Sequence, residues 1–230
     1  MTGTNLFVRY DSRGKPTLES ARDEGAPKDE VNANLRIEHH TQFDATGATV
    51  DGIPFDEFLE NTVEYKFVSW VVSELLYEIR ETGHESGLRD LFHAIAEIDR
   101  AQLRGAVEVE TPEATERRQF DVVLRNRMGE PLVVAKLNDS RDPVTGEMMT
   151  ELVEASTDSA EGNEELSAAF YVTRSFFEPD ALESAADATG GGFLSRDKRE
   201  SYVRIGRKQG YHLCLSEARS GSFHVNVPEL

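Results

Sequence analysis

Cysteine is almost absent from this chain of 230 residues, in which Cys214 is the single example. One cysteine excludes a disulfide within the chain and any metal site built from several thiolates. Cys214 lies in the apolar run YHLCL, where a free thiol behaves as a small hydrophobic side chain. We therefore expect Cys214 to be buried and structural.

Long apolar runs are also lacking, since hydrophobic residues make up 38% of the chain and never continue for about 18 positions. The first 15 residues contain no apolar stretch of the kind found in secretory signals. No Gly-x-Ser-x-Gly motif is present, and the triple glycine at 190–192 is not followed by the Lys-Ser/Thr of a phosphate-binding loop. These absences predict a soluble, cytoplasmic protein without a membrane partner.

Basic residues are few, because 25 lysines and arginines face 43 acidic residues, which gives a formal net charge of −18. The acids are spread along the whole chain, and arginine greatly outnumbers lysine. This composition resembles that of proteins from salt-loving archaea. At about 1 M salt the screening length is roughly 3 Å. The net charge therefore does not exclude a nucleic-acid partner, because the protein would bind it through close local contacts.

Hydrophobic periodicity predicts three consecutive units. Residues 1–34 are predicted to be a flexible segment, 35–85 a hairpin followed by a long helix at 56–80, and 86–230 an α/β core with closing strands. Within the core we expect a helix at 86–103, a strand at 106–110, two strands within 118–138, a helix at 147–159, a strand at 167–176, a helix from Pro179, and strands near 202–205, 211–215 and 223–227. The predicted fold class is α/β, leaning towards α+β, with a mixed central sheet and flanking helices.

The stretch 118–138, RQFDVVLRNRMGEPLVVAKLN, is the centre of this prediction. It contains two apolar strands around a short turn, and each strand carries one ionisable residue, Asp121 in the first and Lys136 in the second. A carboxylate and an ammonium on neighbouring strands indicate either a structural ion pair or part of a functional site. Sequence alone leaves both open.

The order of elements over about 86–176 resembles the core of the PD-(D/E)XK, or restriction-endonuclease-like, nuclease superfamily. The resemblance implies that Asp121 matches the acid of the second core strand and that Lys136 matches the lysine of the third. The acid expected two residues before the lysine is replaced by Val134. Some members of the superfamily carry that acid on the following helix, where this chain offers Glu147, Glu151 and Glu154, and we select Glu151.

This resemblance implies a catalytic set of Asp121, Lys136 and Glu151, in which Asp121 and Glu151 would hold Mg²⁺ if the site is active. Mg²⁺ prefers carboxylate oxygens together with several waters, and it can polarise a phosphate and lower the pKa of a bound water. The family fold implied is a restriction-endonuclease-like core, here extended by an N-terminal hairpin and long helix.

Six cations within thirteen residues, 196–208, form a locally basic stretch in this acidic chain. Arginine suits bidentate contact with phosphate, and Tyr202 and Tyr211 flank the cations. The stretch is a candidate surface for DNA or RNA through Arg199, Arg204, Arg207 and Lys208. The alternatives are a solvated face and an interface for an acidic protein partner.

Two functions follow as hypotheses. The first is a nuclease-related, nucleic-acid-binding protein with a degenerate Mg²⁺-dependent phosphodiesterase site. The second is a non-catalytic interaction or regulatory module that keeps the fold. The position of Lys136 relative to Asp121 and the helix glutamates discriminates between them.

Overall fold

A computed structural model describes residues 3–110, 114–189, 211–219 and 222–225. Its strands are β1 (Thr4–Tyr10), β2 (Leu35–Thr41), β3 (Thr49–Val50), β4 (Ile53–Pro54), β5 (Arg100–Leu103), β6 (Ala106–Glu110), β7 (Thr115–Gln119), β8 (Val122–Arg125), β9 (Pro131–Asn138), β10 (Ala168–Thr173), β11 (His212–Arg219) and β12 (Ser222–Val225). Its helices are α1 (Leu18–Glu24), α2 (Lys28–Asn32), α3 (Phe55–Asn61), α4 (Val63–Trp70), α5 (Leu76–Glu81), α6 (Arg89–Glu97), α7 (Gly146–Glu161) and α8 (Pro179–Ala188), with a π-helical turn at Val71–Leu75.

Eight strands form one mixed sheet in the order β12-β11-β10-β9-β8-β5-β1-β2. Strands β9, β10 and β11 are parallel neighbours, and the other pairs are antiparallel. The parallel pairs need crossover connections, which α7 and α8 provide. The mixed α/β class that the sequence predicts is confirmed.

Each face of the sheet carries its own apolar cluster. The side chains of β9 alternate between the two faces and contribute to both clusters. Val133 and Ala135 belong to the larger cluster, which contains buried residues of α1 and of α3 to α6. Val134 points the other way, into a cluster formed with α7 and α8. Successive side chains of a strand point to opposite faces, so the sheet is covered on both sides in this region.

The N-terminal region departs from the prediction. Residues 11–34, expected to be a loop, contain α1 and α2, and α1 begins with a capping box between Thr17 and Ser20. Of the region predicted as a small hairpin, Leu35–Thr41 forms β2 of the main sheet, while β3 and β4 form a separate hairpin around Asp51 and Gly52. Short polar helices have weak sequence signals, since their few buried residues, such as Leu18, are fixed by tertiary packing.

The helices predicted at 56–80 and 86–103 are shorter than expected. Thr62 has an extended backbone, ends α3 and caps α4 with its side chain, so the single helix predicted at 56–80 is broken there. The helix predicted at 86–103 ends at Glu97, and Arg100–Leu103 forms β5 between β1 and β8. In both cases apolar spacing persists across the break, which is why periodicity alone missed it.

The remaining core elements match the predicted order closely. Strands β8, β9 and β10 and helices α7 and α8 lie where the sequence places them. The strand predicted at 106–110 forms as β6, but it pairs with β7 outside the main sheet, and β5 takes the expected place beside β8. Strand β7 was not predicted, because TERRQ has almost no apolar residues. The strand predicted at 202–205 lies outside the described residues. Within the described ranges, no helix is long and apolar enough to cross a membrane.

Candidate functional site

A bent two-stranded ribbon positions Asp121. Strands β6 and β7 pair with each other outside the main sheet, and their arm packs against α7 through an Arg118–Asp158 ion pair of 2.8 Å. At the bend, Arg104 N donates to Asp121 O at 2.7 Å and Phe120 N donates to Gly105 O at 2.9 Å. Asp121 therefore lies at the point where the ribbon leaves the main sheet.

Asp121 is hydrogen-bonded to strand β9 through its backbone and its carboxylate. Asp121 N donates to Ala135 O at 2.9 Å, and Asp121 Oδ2 accepts from Leu137 N at 2.8 Å. These two hydrogen bonds lie on either side of Lys136 in the chain, so Asp121 and Lys136 are cross-strand neighbours. An acid that accepts a backbone N–H in this way also stabilises the strand end, because it satisfies a donor that the bend leaves free.

Lys136 forms its ion pair with the following helix. Its Nζ lies 3.5 Å from Glu151 Oε1. Of the three glutamates considered on α7, Glu151 is the one in contact with the lysine. The Lys136 side chain is 25% exposed and that of Glu151 71% exposed, so the pair contributes no more than about 1 kcal/mol to stability.

Tyr171 extends this group by one strand. It stands opposite Lys136 in the register between β9 and β10 and is buried. Burial raises the pKa of the Tyr171 hydroxyl to about 12, with further contributions from the charges of Asp121 and Glu151. Asp121, Lys136 and Tyr171 thus lie in order across three neighbouring strands, with Glu151 above them on α7.

Glu64 lies on α4. Its side chain is buried, with 8% exposed. Burial raises the pKa of the Glu64 carboxyl; the positive charge of Arg104 opposes this rise, while the negative charges of Asp121 and Asp139 add to it. Helix α4 packs in the larger cluster, on the sheet face opposite to α7.

Sequence reasoning missed both Glu64 and Tyr171. A signal existed for Glu64, which is three and four residues before Phe67 and Val68 on the buried stripe of α4. A charged residue at such a position is unusual and marks a candidate site. Tyr171 gave no such signal, because every residue of β10 is buried.

Replacing Glu64 with glutamine is expected to stabilise the protein at neutral pH. When folding raises the pKa of a carboxyl, the native state is favoured most below the unfolded pKa, about 4.3. This stabilisation is lost as pH rises through the folded pKa. Glutamine removes that loss, so the urea midpoint of Glu64→Gln should exceed that of the wild type at pH 7. The two midpoints should converge below pH 4. The exposed Glu57 supplies the control, and Glu57→Gln should show no comparable pH-dependent gain.

The carboxylates do not fit a preformed Mg²⁺ site. In the ranges that the structure describes, no three His, Cys, Asp or Glu side chains are arranged to hold a metal ion. One oxygen of Asp121 accepts a backbone N–H, and one oxygen of Glu151 pairs with Lys136. Val134, at the position of the expected acid, is fully buried in the cluster beneath α7.

The predicted nucleic-acid residues Arg199, Arg204, Arg207 and Lys208 lie outside the described residues. The structure thus brings together Asp121, Lys136 and Glu151 and adds Tyr171.

Fold and site define a mixed α/β protein in which a lysine–glutamate pair and a strand-end aspartate meet at the edge of a ribbon. The chain belongs to the family described as a domain of unknown function, DUF7527, whose model matches residues 1–230. Comparison with curated proteins and with solved structures finds no match.

Proposed function

We propose that this protein is a nuclease-related, nucleic-acid-binding protein whose phosphodiesterase site is degenerate. The observation that carries the proposal is the Lys136–Glu151 contact beside Asp121. The order α6, β5, β8, β9, α7, β10 supports it, because antiparallel β5, β8 and β9 are followed by a crossover helix and a parallel strand. The nuclease superfamily suggested by the sequence has this order.

The proposal that the phosphodiesterase site is degenerate rests on the contacts that its carboxylates make. A hydrolytic site needs carboxylate oxygens free to hold hard cations. Here the carboxylates of Asp121 and Glu151 already have protein partners, and an apolar side chain fills the third position. The arrangement suits a surface that holds a phosphate backbone near Lys136 better than one that hydrolyses it.

A cleavage assay tests this part of the proposal. With Mg²⁺ or Mn²⁺ in molar salt, labelled DNA and RNA should stay intact with the wild type and equally intact with Asp121→Ala. Metal-dependent cleavage that the wild type shows and Asp121→Ala loses would establish an active nuclease and refute degeneracy. Both proteins should first show the same circular dichroism spectrum, because the substitution also removes the hydrogen bond to Leu137.

Removing Arg204 and Arg207 together is expected to weaken nucleic-acid retention. In single-strand binding, each lost phosphate contact reduces the slope of log affinity against log salt by about 0.7, so Arg204→Ala with Arg207→Ala should lower it by about 1.4. Filter binding across a salt series measures both quantities. The control removes two arginines elsewhere, Arg22→Ala with Arg117→Ala. Unchanged retention by the 204/207 variant would exclude the basic stretch as a binding surface.

A non-catalytic interaction module is the second candidate. The burial of Val134 favours it, because that position holds core structure where the resemblance would place an acid. An absence of any binding to DNA or RNA by the wild type would select this candidate.

A further inference from the structure

Arginines from four neighbouring strands share one face of the main sheet near its β2 edge. In the register of the sheet, Arg36 on β2 stands opposite Arg9 on β1, and Phe7 on β1 stands opposite Arg100 on β5. Arg100 in turn stands opposite Arg125 on β8. Cross-strand partners point to the same side of a sheet, and residues two apart on one strand do so too.

We call this surface the arginine face; its members are Phe7, Arg9, Arg36, His40, Arg100 and Arg125. The reverse side of the same strands carries Leu6 and Val8, which are buried in the larger cluster. The arginine face itself is open to solvent in part: the Arg9 and Arg36 side chains are 36% and 53% exposed. Two of its arginines are ion-paired, Arg9 with Asp99 and Arg36 with Asp11 and Glu38, and Glu38 stands opposite Phe7 on this face.

Two of these cations have no acidic partner. Arg100 forms no ion pair with any described residue, and its Nε is buried without a hydrogen-bond acceptor. Arg125 donates to Gln102 Oε1, Gly129 O and Ala106 O, none of which carries a negative charge. Burial lowers the pKa of the Arg125 guanidinium, and the positive charge of Arg100 lowers it further. The negative charge of Glu108 opposes this shift at Arg125. Arg100 has no ion-pair partner among the described residues, and it is therefore the cation that favours an external anion.

An aromatic ladder lies beside these cations. The Arg9 guanidinium carbon is 4.7 Å from the centre of the Phe7 ring, and the Phe7 and His40 rings are 4.7 Å apart. Aromatic rings on an open sheet face provide platforms on which bases stack, and an arginine plane extends such a platform. The combination of unpaired arginines and aromatic rings matches a ligand that has both phosphates and planar bases.

We propose that the arginine face binds single-stranded nucleic acid, with phosphates contacting Arg100 and Arg125 and a base stacking on Phe7. An acidic peptide would use the arginines but would leave the ring without a partner, so the nucleic acid is favoured. The proposal rests on the proposed function for the class of partner, and it assigns binding to residues other than Lys136 and the basic stretch. Stacking also persists in molar salt, where long-range attraction is screened.

Fluorescence anisotropy of a labelled oligo(dT) strand of about 12 nucleotides, within the site sizes of single-strand binders, tests the assignment. Arg100→Gln should weaken binding about tenfold and reduce the slope against log salt by about 0.7. Phe7→Leu should weaken binding by about five- to a hundredfold, the range of one stacked base, without changing the slope. Arg117→Gln is the control, because Arg117 is equally charged, 68% exposed and lies on β7; its affinity should stay within about twofold of wild type.

The outcomes separate this proposal from the proposed function. If Arg100→Gln and Phe7→Leu bind as the wild type does while the Arg204/Arg207 variant is weakened, the arginine face is refuted and nucleic-acid binding stands. If the wild type binds neither DNA nor RNA, both fail. If poly-glutamate competes as well as oligo(dT) and Phe7→Leu has no effect, the face binds an acidic partner and the proposal is overturned. Equal melting temperatures of the variants exclude misfolding as the cause of lost binding.

Discussion

Replacing Val134 with aspartate is expected to destabilise the protein by about 3 kcal/mol or more at pH 7, the range observed for an unpaired buried charge. Val134 is fully buried, pairs with Val123 on β8 and Ala169 on β10, and packs in the cluster beneath α7. The substitution places an acid where the nuclease pattern would have one. We expect it to give neither cleavage activity nor a stable fold, because the position lies among the apolar side chains of that cluster.

Urea unfolding measures this effect, and its pH dependence identifies the cause. An aspartate in an apolar cluster has a raised pKa, so its destabilisation should grow as pH rises above about 3.9 and shrink in acid. Val134→Ala provides the control: it removes about two methylene equivalents, worth roughly 1.6 kcal/mol, and its effect should not depend on pH. A Val134→Asp variant as stable as the wild type, with metal-dependent cleavage, would show that the position is an accessible part of an active site.

Phe67→Ala is expected to reduce the free energy of unfolding by about 3–5 kcal/mol, the range for deleting a large aromatic side chain from a core. Phe67 is fully buried on α4, and its ring makes an edge contact with Phe170 on β10 at 5.4 Å and with Phe223 on β12 at 6.2 Å. The substitution therefore leaves a cavity between the helix and the parallel part of the sheet.

The exposed Phe176 is the matched control for that substitution. Phe176 is 55% exposed, so Phe176→Ala should change the free energy of unfolding by no more than about 0.5 kcal/mol. Chemical denaturation of both variants measures the difference. Equal effects at the two positions would contradict the placement of α4 against β10.

Local patterns predicted the core well because its elements carry strong periodic signals. The apolar runs around Asp121 and Lys136 could only form buried strands, and the helix after them had the length and spacing of α7. The choice of Glu151 also came from spacing, since glutamates three and four apart share a helix face. In the structure Glu151 pairs with Lys136, and its role as the acid of a site stays a prediction.

The N-terminal part could not be predicted in the same way. Strand β1 is paired on both sides and lies one strand from the sheet edge, yet its LFVRY pattern is as short as that of an edge strand. Its role depends on pairing with β5 and β2, which lie about 90 and 30 residues away in the chain. Pairings at such separations are set by tertiary packing rather than by local propensity.

The candidate site illustrates the same limit. Asp121 and Lys136 are visible in the sequence as charges in apolar runs. The bend at Arg104 and Gly105 that brings Asp121 to β9 is not visible, because it depends on the ribbon folding over α7. Arg104 has a positive φ of 50°, an uncommon conformation for a residue with a side chain, and this gave no sequence signal.

Nucleic-acid recognition is tested most directly by equilibrium binding to the wild-type protein. Labelled single- and double-stranded DNA and RNA are titrated in molar salt with a chelator present. We predict saturable binding of at least one of these nucleic acids without any cleavage on later addition of Mg²⁺. The absence of binding to all of them would contradict the central claim that this fold and site serve nucleic-acid recognition.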